Sequence, residues 1–199
     1  MTPVGILLAA GRGRRFDPSG TRNKLLQPVA AGGESVVVAS ARAMLAVLPT
    51  VVAVVAPDDG GVADALRALG CDVTTCPDAD EGMAQSLVHA LRHSLPQAQA
   101  WLIALGDMPR VHPATIQALA DAIAGGAVVA APVCGGRRGN PVAFGAACLP
   151  ELLALSGDEG ARHILKRQQV TEVAVDDPGI FQDIDQPSDL PPEIHSHNP

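Results

Sequence analysis

The stretch VGILLAAGRGRRF, residues 4–16, contains the features that decide the fold. Its first half is a short apolar run after Pro3, and its second half is a loop rich in glycine and arginine. An apolar run of this length predicts a strand that is buried on both faces. We therefore expect a buried first strand over residues 4–8, followed directly by a polar loop.

Apolar runs of strand length alternate with segments of helical periodicity along the rest of the chain. This alternation predicts a single-domain, three-layer α/β/α fold with a mainly parallel, Rossmann-like sheet. The predicted strands are residues 4–8, 51–56, 73–76, 101–105, 127–131, 141–144 and 170–175, and the predicted helices are residues 35–48, 61–69, 83–95, 113–124, 149–155 and 159–168. We expect the domain to cover residues 1–190 and the proline-rich residues 191–199 to form a disordered tail.

The composition of the 199-residue chain excludes several functions. Its 21 acidic and 14 basic residues give a formal charge of -7, and aromatic residues make up 2% of the chain. A surface that coats nucleic acid would need clustered excess cations, and single-stranded nucleic acid would need several exposed rings. The apolar stretches are too short to cross a bilayer, and the N-terminal basic residues follow the apolar run instead of preceding it. We expect a cytoplasmic protein that binds neither nucleic acid nor membranes.

The four cysteines contain no C-x-x-C pair and have no histidines at zinc-ligand spacing. This pattern argues against a structural zinc site. We expect small, buried thiols in a reducing compartment.

The loop after the first predicted strand is strongly basic. Between Arg12 and Lys24 five cations stand against one acidic residue, Asp17, so that the local formal charge is +4 and the rest of the chain carries -11. Gly11 and Gly13 let backbone N–H groups approach a ligand closely, which favours a polyphosphate; a solvated basic loop is the alternative. The spacing lacks the third glycine of a dinucleotide fingerprint and the G-K-[ST] of a Walker loop. Because Lys24 is one of only two lysines in the chain, it indicates a need for a compact point charge.

Two aspartate motifs supply candidate metal ligands. Asp107, in the GDMP of residues 106–109, follows the fourth predicted strand and is expected to face the basic loop. A carboxylate at that position can bind a hard cation such as Mg²⁺, although a simple turn is the alternative. Asp183 and Asp185 lie two residues apart and point to one side of an extended chain, so one of them could complete the metal site.

These motifs together resemble the MobA-like nucleotidyltransferases, in order and over nearly the whole chain. The motifs that carry the resemblance are LLAAGRGRRF (7–16), NKLL (23–26), EGMAQSL (81–87), GDMP (106–109), GRRGNPVAFG (136–145), GDEGAR (157–162) and DIDQPSDL (183–190). The resemblance implies the GT-A-like form of the predicted fold. It also implies transfer of a nucleoside monophosphate from a nucleoside triphosphate to the phosphate of molybdopterin, with Mg²⁺ as cofactor and pyrophosphate as product.

The resemblance also assigns expected roles to single residues. The expected nucleotide-binding residues are Leu8, Ala9, Ala10, Gly11, Gly13, Arg15, Lys24, Ser86, Gly106 and Asp107. Among these, Arg15, Lys24 and Asp107 are expected to carry catalysis, and Asp107 and Asp183 to ligate Mg²⁺. The residues expected to face the molybdopterin substrate are Gly139, Asn140, Pro141, Asp158 and Arg162.

The motifs indicate the nucleotide base and the acceptor less specifically than they indicate the reaction. Ala10 gives L-A-A-G instead of L-A-G-G, which resembles the cytidylyl branch, and its methyl group would crowd a purine, so CTP is favoured over GTP. Asn140 stands where the family often has histidine. The alternatives are a guanylyltransferase, a transferase for another phosphorylated acceptor, and a non-catalytic carrier of the finished cofactor. A molybdenum hydroxylase would be the recipient of that cofactor.

Overall fold

The computed structural model describes residues 2–30, 33–157 and 160–190 and places a sheet of eight strands between two layers of helices. The strands are β1 (Val4–Ala9), β2 (Val51–Val55), β3 (Asp72–Thr75), β4 (Ala100–Leu105), β5 (Val129–Cys134), β6 (Arg137–Arg138), β7 (Val142–Gly145) and β8 (Val170–Ala174). The α-helices are α1 (Val36–Leu45), α2 (Val62–Ala68), α3 (Met83–Ser94), α4 (Pro113–Ala124), α5 (Leu149–Leu153) and α6 (Arg162–Arg167). Short 3₁₀ helices cover Lys24–Leu26, Ala79–Glu81, Ala146–Cys148, Pro178–Phe181 and Pro187–Asp189.

The sheet is parallel in its first half and mixed in its second half. Strands β3, β2, β1 and β4 lie side by side in that order and all run in the same direction. Strand β7 is antiparallel to both of its neighbours, β4 and β5, and β8 is parallel to β5. The carboxyl ends of β1 and β4 therefore meet at one edge of the sheet.

Apolar side chains fill both faces of the sheet. All five residues of β2 are buried, as the uninterrupted VVAVV sequence predicts for a strand covered on both sides. Side chains alternate between the faces, so Ile6 and Val52 pack in one core cluster and Leu7 and Ala53 in the other. Helices α1, α2 and α4 cover the Leu7 face, and α3, α5 and α6 cover the Ile6 face.

The predicted three-layer α/β/α architecture is confirmed, whereas β6 was not predicted. Gly135 and Gly136, at φ +57° and +76°, form the tight turn between β5 and β6. A pair of glycines between two short extended segments is a hairpin signal, but the two exposed arginines of β6 carry no apolar pattern. The predicted tail at residues 191–199 lies outside the described residues. No helix in the described part of the chain is long and apolar enough to cross a membrane.

The four cysteines are free thiols, and their burial predicts an order of reactivity. Burial raises the pKa of Cys71 to about 11, and burial together with Glu151 raises that of Cys148. Since the thiolate is the reactive form, we expect iodoacetamide at about pH 8 to label the half-buried Cys134 of the native protein much faster than the buried Cys71, Cys76 and Cys148. Mass spectrometry of native and urea-unfolded samples measures this difference, and rapid native labelling of Cys71 would contradict it.

Candidate active site

Two loops meet where β1 and β4 end. The strands are parallel neighbours with Leu8 opposite Leu105, and the N–H of Gly106 donates to the carbonyl oxygen of Leu8 at 2.8 Å. Ligands of open α/β sheets bind at this edge. A cavity of about 320 Å³, here called the first cavity, lies between the loops. It is lined by Leu8, Ala10, Gly11, Arg12, Arg14, Lys24, Leu25, Ala79, Asp80, Gly82, Met83, Ser86, Leu105 and Asp107.

The carboxylate of Asp17 organises the basic loop after β1. It accepts hydrogen bonds from the hydroxyl groups of Ser19 (2.6 Å) and Thr21 (2.9 Å) and from the backbone N–H of Arg22 (2.7 Å). These hydrogen bonds, with the Ser19 side chain as the largest cause, hold the pKa of Asp17 well below its usual range. The single acidic residue of this loop thus stays charged and fixes the loop's shape.

Gly13 brings the same loop close to Lys24. Its φ of +60° lies in the left-handed region, which favours glycine. A Cβ atom at Gly13 would lie 3.2 Å from Cγ of Lys24, so a side chain there would also press on the lysine. The loop therefore crosses directly over the Lys24 side chain.

Lys24 is the buried cation of the site and is 8% exposed. Its ammonium group donates to Oδ2 of Asp107 at 2.7 Å and to the carbonyl oxygen of Ile184 at 3.0 Å. Oδ1 of Asp185 lies 3.8 Å from the same nitrogen. One ammonium group thus joins the three motifs that the sequence places far apart, NKLL, GDMP and DID.

The carboxylate of Asp107 has one partnered and one unpartnered oxygen. Oδ2 accepts from Lys24, whereas Oδ1 is buried and has no hydrogen-bond partner within the described ranges. The backbone around it is fixed, because the Asp107 carbonyl oxygen accepts from the N–H of Ile184 at 2.8 Å and that of Gly106 accepts from the Ser40 hydroxyl at 3.0 Å. A buried oxygen without a partner is unfavourable, and a cation or a donor from a ligand would satisfy it.

The structure brings Asp185, and not Asp183, to this site. Asp185 lies near Lys24 and forms an ion pair of 2.5 Å with Arg15. The side chain of Asp183 is exposed and forms no ion pair or hydrogen bond with any residue that the structure describes. Asp185, the other aspartate of this motif, is therefore the one in contact with Lys24, and the predicted pairing of Asp107 with Asp183 stays a prediction.

The arginines of the basic loop differ in their partners. Arg12 pairs with Asp80 across the first cavity, and both side chains are about half exposed. Arg15 pairs with Asp185 and has an exposed side chain. Arg14 lines the first cavity and has no ion pair or hydrogen bond to the part of the chain that is described. Arg14 is therefore the arginine of this loop most available to an anionic ligand in the cavity.

Most of the predicted nucleotide-binding residues line the first cavity. Ser86, buried in the first turn of α3, lines it together with Lys24. Ala9 is buried in the core, and Gly106 lies so close to β1 that a Cβ atom would be 3.0 Å from the Leu8 carbonyl oxygen. The predicted residues that line the cavity are Leu8, Ala10, Gly11, Lys24, Ser86 and Asp107.

The predicted acceptor residues have mixed placements. Asn140 lines a further cavity, of about 440 Å³, here called the second cavity. Gly139 packs against Ile180, since a Cβ atom there would lie 2.5 Å from the Ile180 carbonyl oxygen, and Pro141 is buried. Asp158 lies outside the described residues, and Arg162 is described only through its backbone, as the first residue of α6.

Sequence reasoning assigned no role to Arg14 or Asp80, and it named Asp185 only as the alternative to Asp183 at the metal site. Five cations were counted in the loop, including Arg14, but only Arg15 and Lys24 were assigned to the nucleotide. Asp80 belongs to the acidic run DADE, residues 78–81, directly before the motif that carries Ser86. Its pairing with Arg12 depends on the fold and has no local signal.

The arrangement suits a reaction between phosphate groups. Arg12, Arg14 and Lys24 line the first cavity, and so does Asp107, whose carboxylate is only partly satisfied within the described residues. Phosphoryl transfer depends mainly on alignment and charge neutralisation, which such groups supply.

Comparisons with known proteins agree with this geometry. Purine catabolism protein PucB of Bacillus subtilis (strain 168) is 29% identical over 201 residues, which cover 94% of this chain and 93% of PucB. The structure of Rv0371c from Mycobacterium tuberculosis H37Rv superimposes with a TM-score of 0.82 at 28% identity and 95% coverage of both chains. A structure of Rv0371c in complex with manganese superimposes with a TM-score of 0.78 at 27% identity. The match covers 95% of this chain and 96% of the other.

A nucleotidyl transferase from Methanothermobacter, Mth528, gives a TM-score of 0.79 at 27% identity and covers 94% of both chains. The sequence pattern of the MobA-like NTP transferase domain matches residues 5–173, which contain the basic loop, Lys24 and Asp107. The chain is a nucleotidyltransferase and belongs to the MobA-like NTP transferase family.

Proposed function

We propose that the enzyme transfers CMP from CTP to the phosphate of molybdenum-loaded molybdopterin and releases pyrophosphate. The observation that carries the proposal is the joining of Lys24, Asp107 and the basic loop around a cavity at the carboxyl edge of β1 and β4. Family membership decides between the transferase and the carrier alternatives in favour of the transferase. The base and the acceptor rest on the sequence motifs and on the cavities described above.

The first cavity is assigned to the nucleotide. Leu8, Ala10 and Gly11 belong to the lining that would contact the base and ribose, and Ser86 on α3 adds a polar group to it. Its volume of about 320 Å³ is at the small end of the usual range for ligand sites. The methyl group of Ala10 is part of the lining that limits this space, which favours a pyrimidine over a purine.

The residues at the end of the cavity fit a divalent metal ion. The buried, unpartnered Oδ1 of Asp107 is an oxygen ligand of the type that Mg²⁺ prefers. Asp185, which shares the ammonium group of Lys24 with Asp107, is assigned as the second carboxylate in place of Asp183. Manganese in the structure of Rv0371c supports a divalent ion in this family. When bound, the ion would neutralise charge on the triphosphate.

The reaction needs no general base, because the attacking phosphate is already anionic. One of its oxygens forms a bond to the α-phosphorus of CTP, and the bond from that phosphorus to the bridging oxygen of pyrophosphate breaks. Lys24 and Arg14, with the N–H groups of the glycine-rich loop, would hold the β and γ phosphates in line and stabilise the leaving pyrophosphate. The protein thus acts by alignment and electrostatic stabilisation.

Release of pyrophosphate tests the proposal. Purified enzyme with Mg²⁺ and molybdenum-loaded molybdopterin is supplied with CTP, GTP or ATP in separate reactions. We expect release with CTP at a kcat/KM at least about tenfold above that with GTP, because a purine is crowded by Ala10.

The other outcomes discriminate between the alternatives. Release with GTP alone would identify a guanylyltransferase, and release with CTP only when another phosphorylated acceptor replaces molybdopterin would identify a different substrate. Omitting the acceptor is the control, since the direct transfer described above gives no pyrophosphate without it.

A further inference from the structure

The second cavity adjoins the first, and the two share Leu8, Met83 and Leu105 in their walls. Its volume of about 440 Å³ is within the range of small-molecule sites. Met83, at the start of α3, is 47% exposed although it is a large apolar residue, and it lines both cavities. A molecule in the second cavity would therefore lie beside the nucleotide.

The walls of the second cavity are mainly apolar. Ile103, Val142 and Phe144 from neighbouring strands form one wall, and Leu87 from α3 extends it. Such walls suit a flat ring system, whereas specificity in a cavity of this kind comes from the few polar groups that face it. Beside Asn140, those groups include a histidine and a lysine that the sequence motifs did not assign.

His163 has an unsatisfied nitrogen. Its ring lines the second cavity, while its Nδ1 is buried and has no hydrogen-bond partner among residues 2–30, 33–157 and 160–190. Buried polar atoms nearly always have a partner in native proteins, so an exception calls for an explanation. A ligand in the cavity that presents a hydrogen-bonding edge would supply the missing partner.

Lys166 is the second of the two lysines in the chain, and it lies one helical turn from His163 on α6. It is exposed, lines the second cavity, and forms no ion pair or hydrogen bond within the described parts of the chain. Both lysines of an arginine-rich chain thus line the two adjoining cavities. An unpaired ammonium group beside an apolar cavity favours a ligand that carries a negative charge.

We infer that His163 and Lys166 determine which acceptor the enzyme takes, by binding a flat heterocycle with a hydrogen-bonding edge and an anionic substituent. The inference rests on the proposed function, because it assigns the acceptor of that reaction to the second cavity. His163 contacts the edge of the ring system, and Lys166 contacts the anionic group. Neither residue lines the first cavity, to which the nucleotide is assigned.

The test compares the KM for the acceptor with the KM for CTP. Lys166→Met removes the charge and keeps the length of the side chain, and Arg167→Met is the matched control, since Arg167 is the next exposed cation on α6 and does not line the cavity. We expect Lys166→Met and His163→Leu each to raise the KM for molybdenum-loaded molybdopterin about tenfold, with an unchanged KM for CTP. His163→Asn, which keeps a polar group near the Nδ1 position, should recover much of the loss.

A second measurement does not depend on turnover. Pterins fluoresce, so titration of 6-hydroxymethylpterin and of its phosphate into the protein reports ring binding and the added effect of the anionic group. His163→Leu should weaken the binding of both compounds, and Lys166→Met only that of the phosphate. Unchanged acceptor KM and unchanged pterin binding in both variants would overturn the inference, as would an equal rise in the KM values for acceptor and CTP.

The two proposals can fail separately. An absence of pyrophosphate release by the wild-type enzyme with every nucleotide would contradict the proposed function. Pterin titration would then still decide the role of His163 and Lys166 in the second cavity. Normal turnover with both residues replaced would instead contradict only the present inference.

Discussion

Replacement of Asp107 by asparagine is expected to reduce kcat about a thousandfold while the fold persists. The substitution keeps the shape of the side chain but removes the charge from Oδ1, the buried oxygen without a partner that we assign to the metal ion. A bound ion contributes several kcal/mol of transition-state stabilisation, and each 1.4 kcal/mol corresponds to about a factor of ten in rate. Pyrophosphate release measures kcat, and circular dichroism with thermal unfolding verifies the fold.

The matched control is Asp121→Asn, the same chemical change on the exposed side of α4. It should leave kcat unchanged. Parallel Asp185→Asn and Asp183→Asn variants identify the second carboxylate, and we expect a large loss only for Asp185→Asn, because Asp185 alone of the two lies near Lys24. Full activity of Asp107→Asn would refute the metal assignment. A large loss of kcat in Asp183→Asn, with a normal kcat in Asp185→Asn, would instead identify Asp183 as the second carboxylate of the metal site.

Replacement of Lys24 by arginine is expected to lower kcat/KM for CTP about a hundredfold, although the charge is retained. The ammonium group fits between Oδ2 of Asp107 and the carbonyl oxygen of Ile184, and Gly13 crosses the side chain at close range. A planar guanidinium group is larger and places its donors in a fixed fork, so it cannot occupy the same space. Steady-state kinetics with varied CTP measures the effect.

A second variant and a stability measurement allow that result to be interpreted. Lys24→Ala should be at least as impaired as Lys24→Arg, since it loses the cation as well as the fit. A decrease in the midpoint of thermal unfolding that matches the loss of activity would instead indicate damage to the fold. Wild-type kinetics in Lys24→Arg would show that charge alone suffices at this position.

The fold could be predicted largely from the sequence because its strands are apolar on both faces and its helices end at clear signals. The VVAVV of β2 and the helix over residues 113–124 are examples, since both are local patterns that the structure reproduces. Strand β6 was missed because its two arginines are exposed and its pairing depends on the Gly135–Gly136 turn. Periodicity identifies buried faces, and it has no signal for a short exposed hairpin.

Part of the site could also be predicted from the sequence. Lys24 belongs to the loop after the first predicted strand, and Asp107 follows the fourth. Their convergence could be inferred because ligands of open α/β sheets bind at the carboxyl ends of strands. The choice between Asp183 and Asp185 could not, because it depends on a turn: the N–H groups of Asp185 and Gln186 donate to the carboxylate of Asp189, at 2.9 and 2.7 Å. An extended chain, the basis of the sequence argument, would have placed both carboxylates on one side.

The ion pairs of the site have a consequence for the way the substrate enters. Arg12 pairs with Asp80, Arg15 with Asp185, and Lys24 with Asp107. On the proposed function, binding of a nucleotide would therefore be an exchange of partners, in which the cations pair with phosphates and the carboxylates become available to a metal ion. A triphosphate without metal would leave carboxylates facing phosphates, and a metal ion without nucleotide would face the ammonium group of Lys24. On this assignment, electrostatics would favour the metal–nucleotide complex as the entering species, with the two charges arriving together.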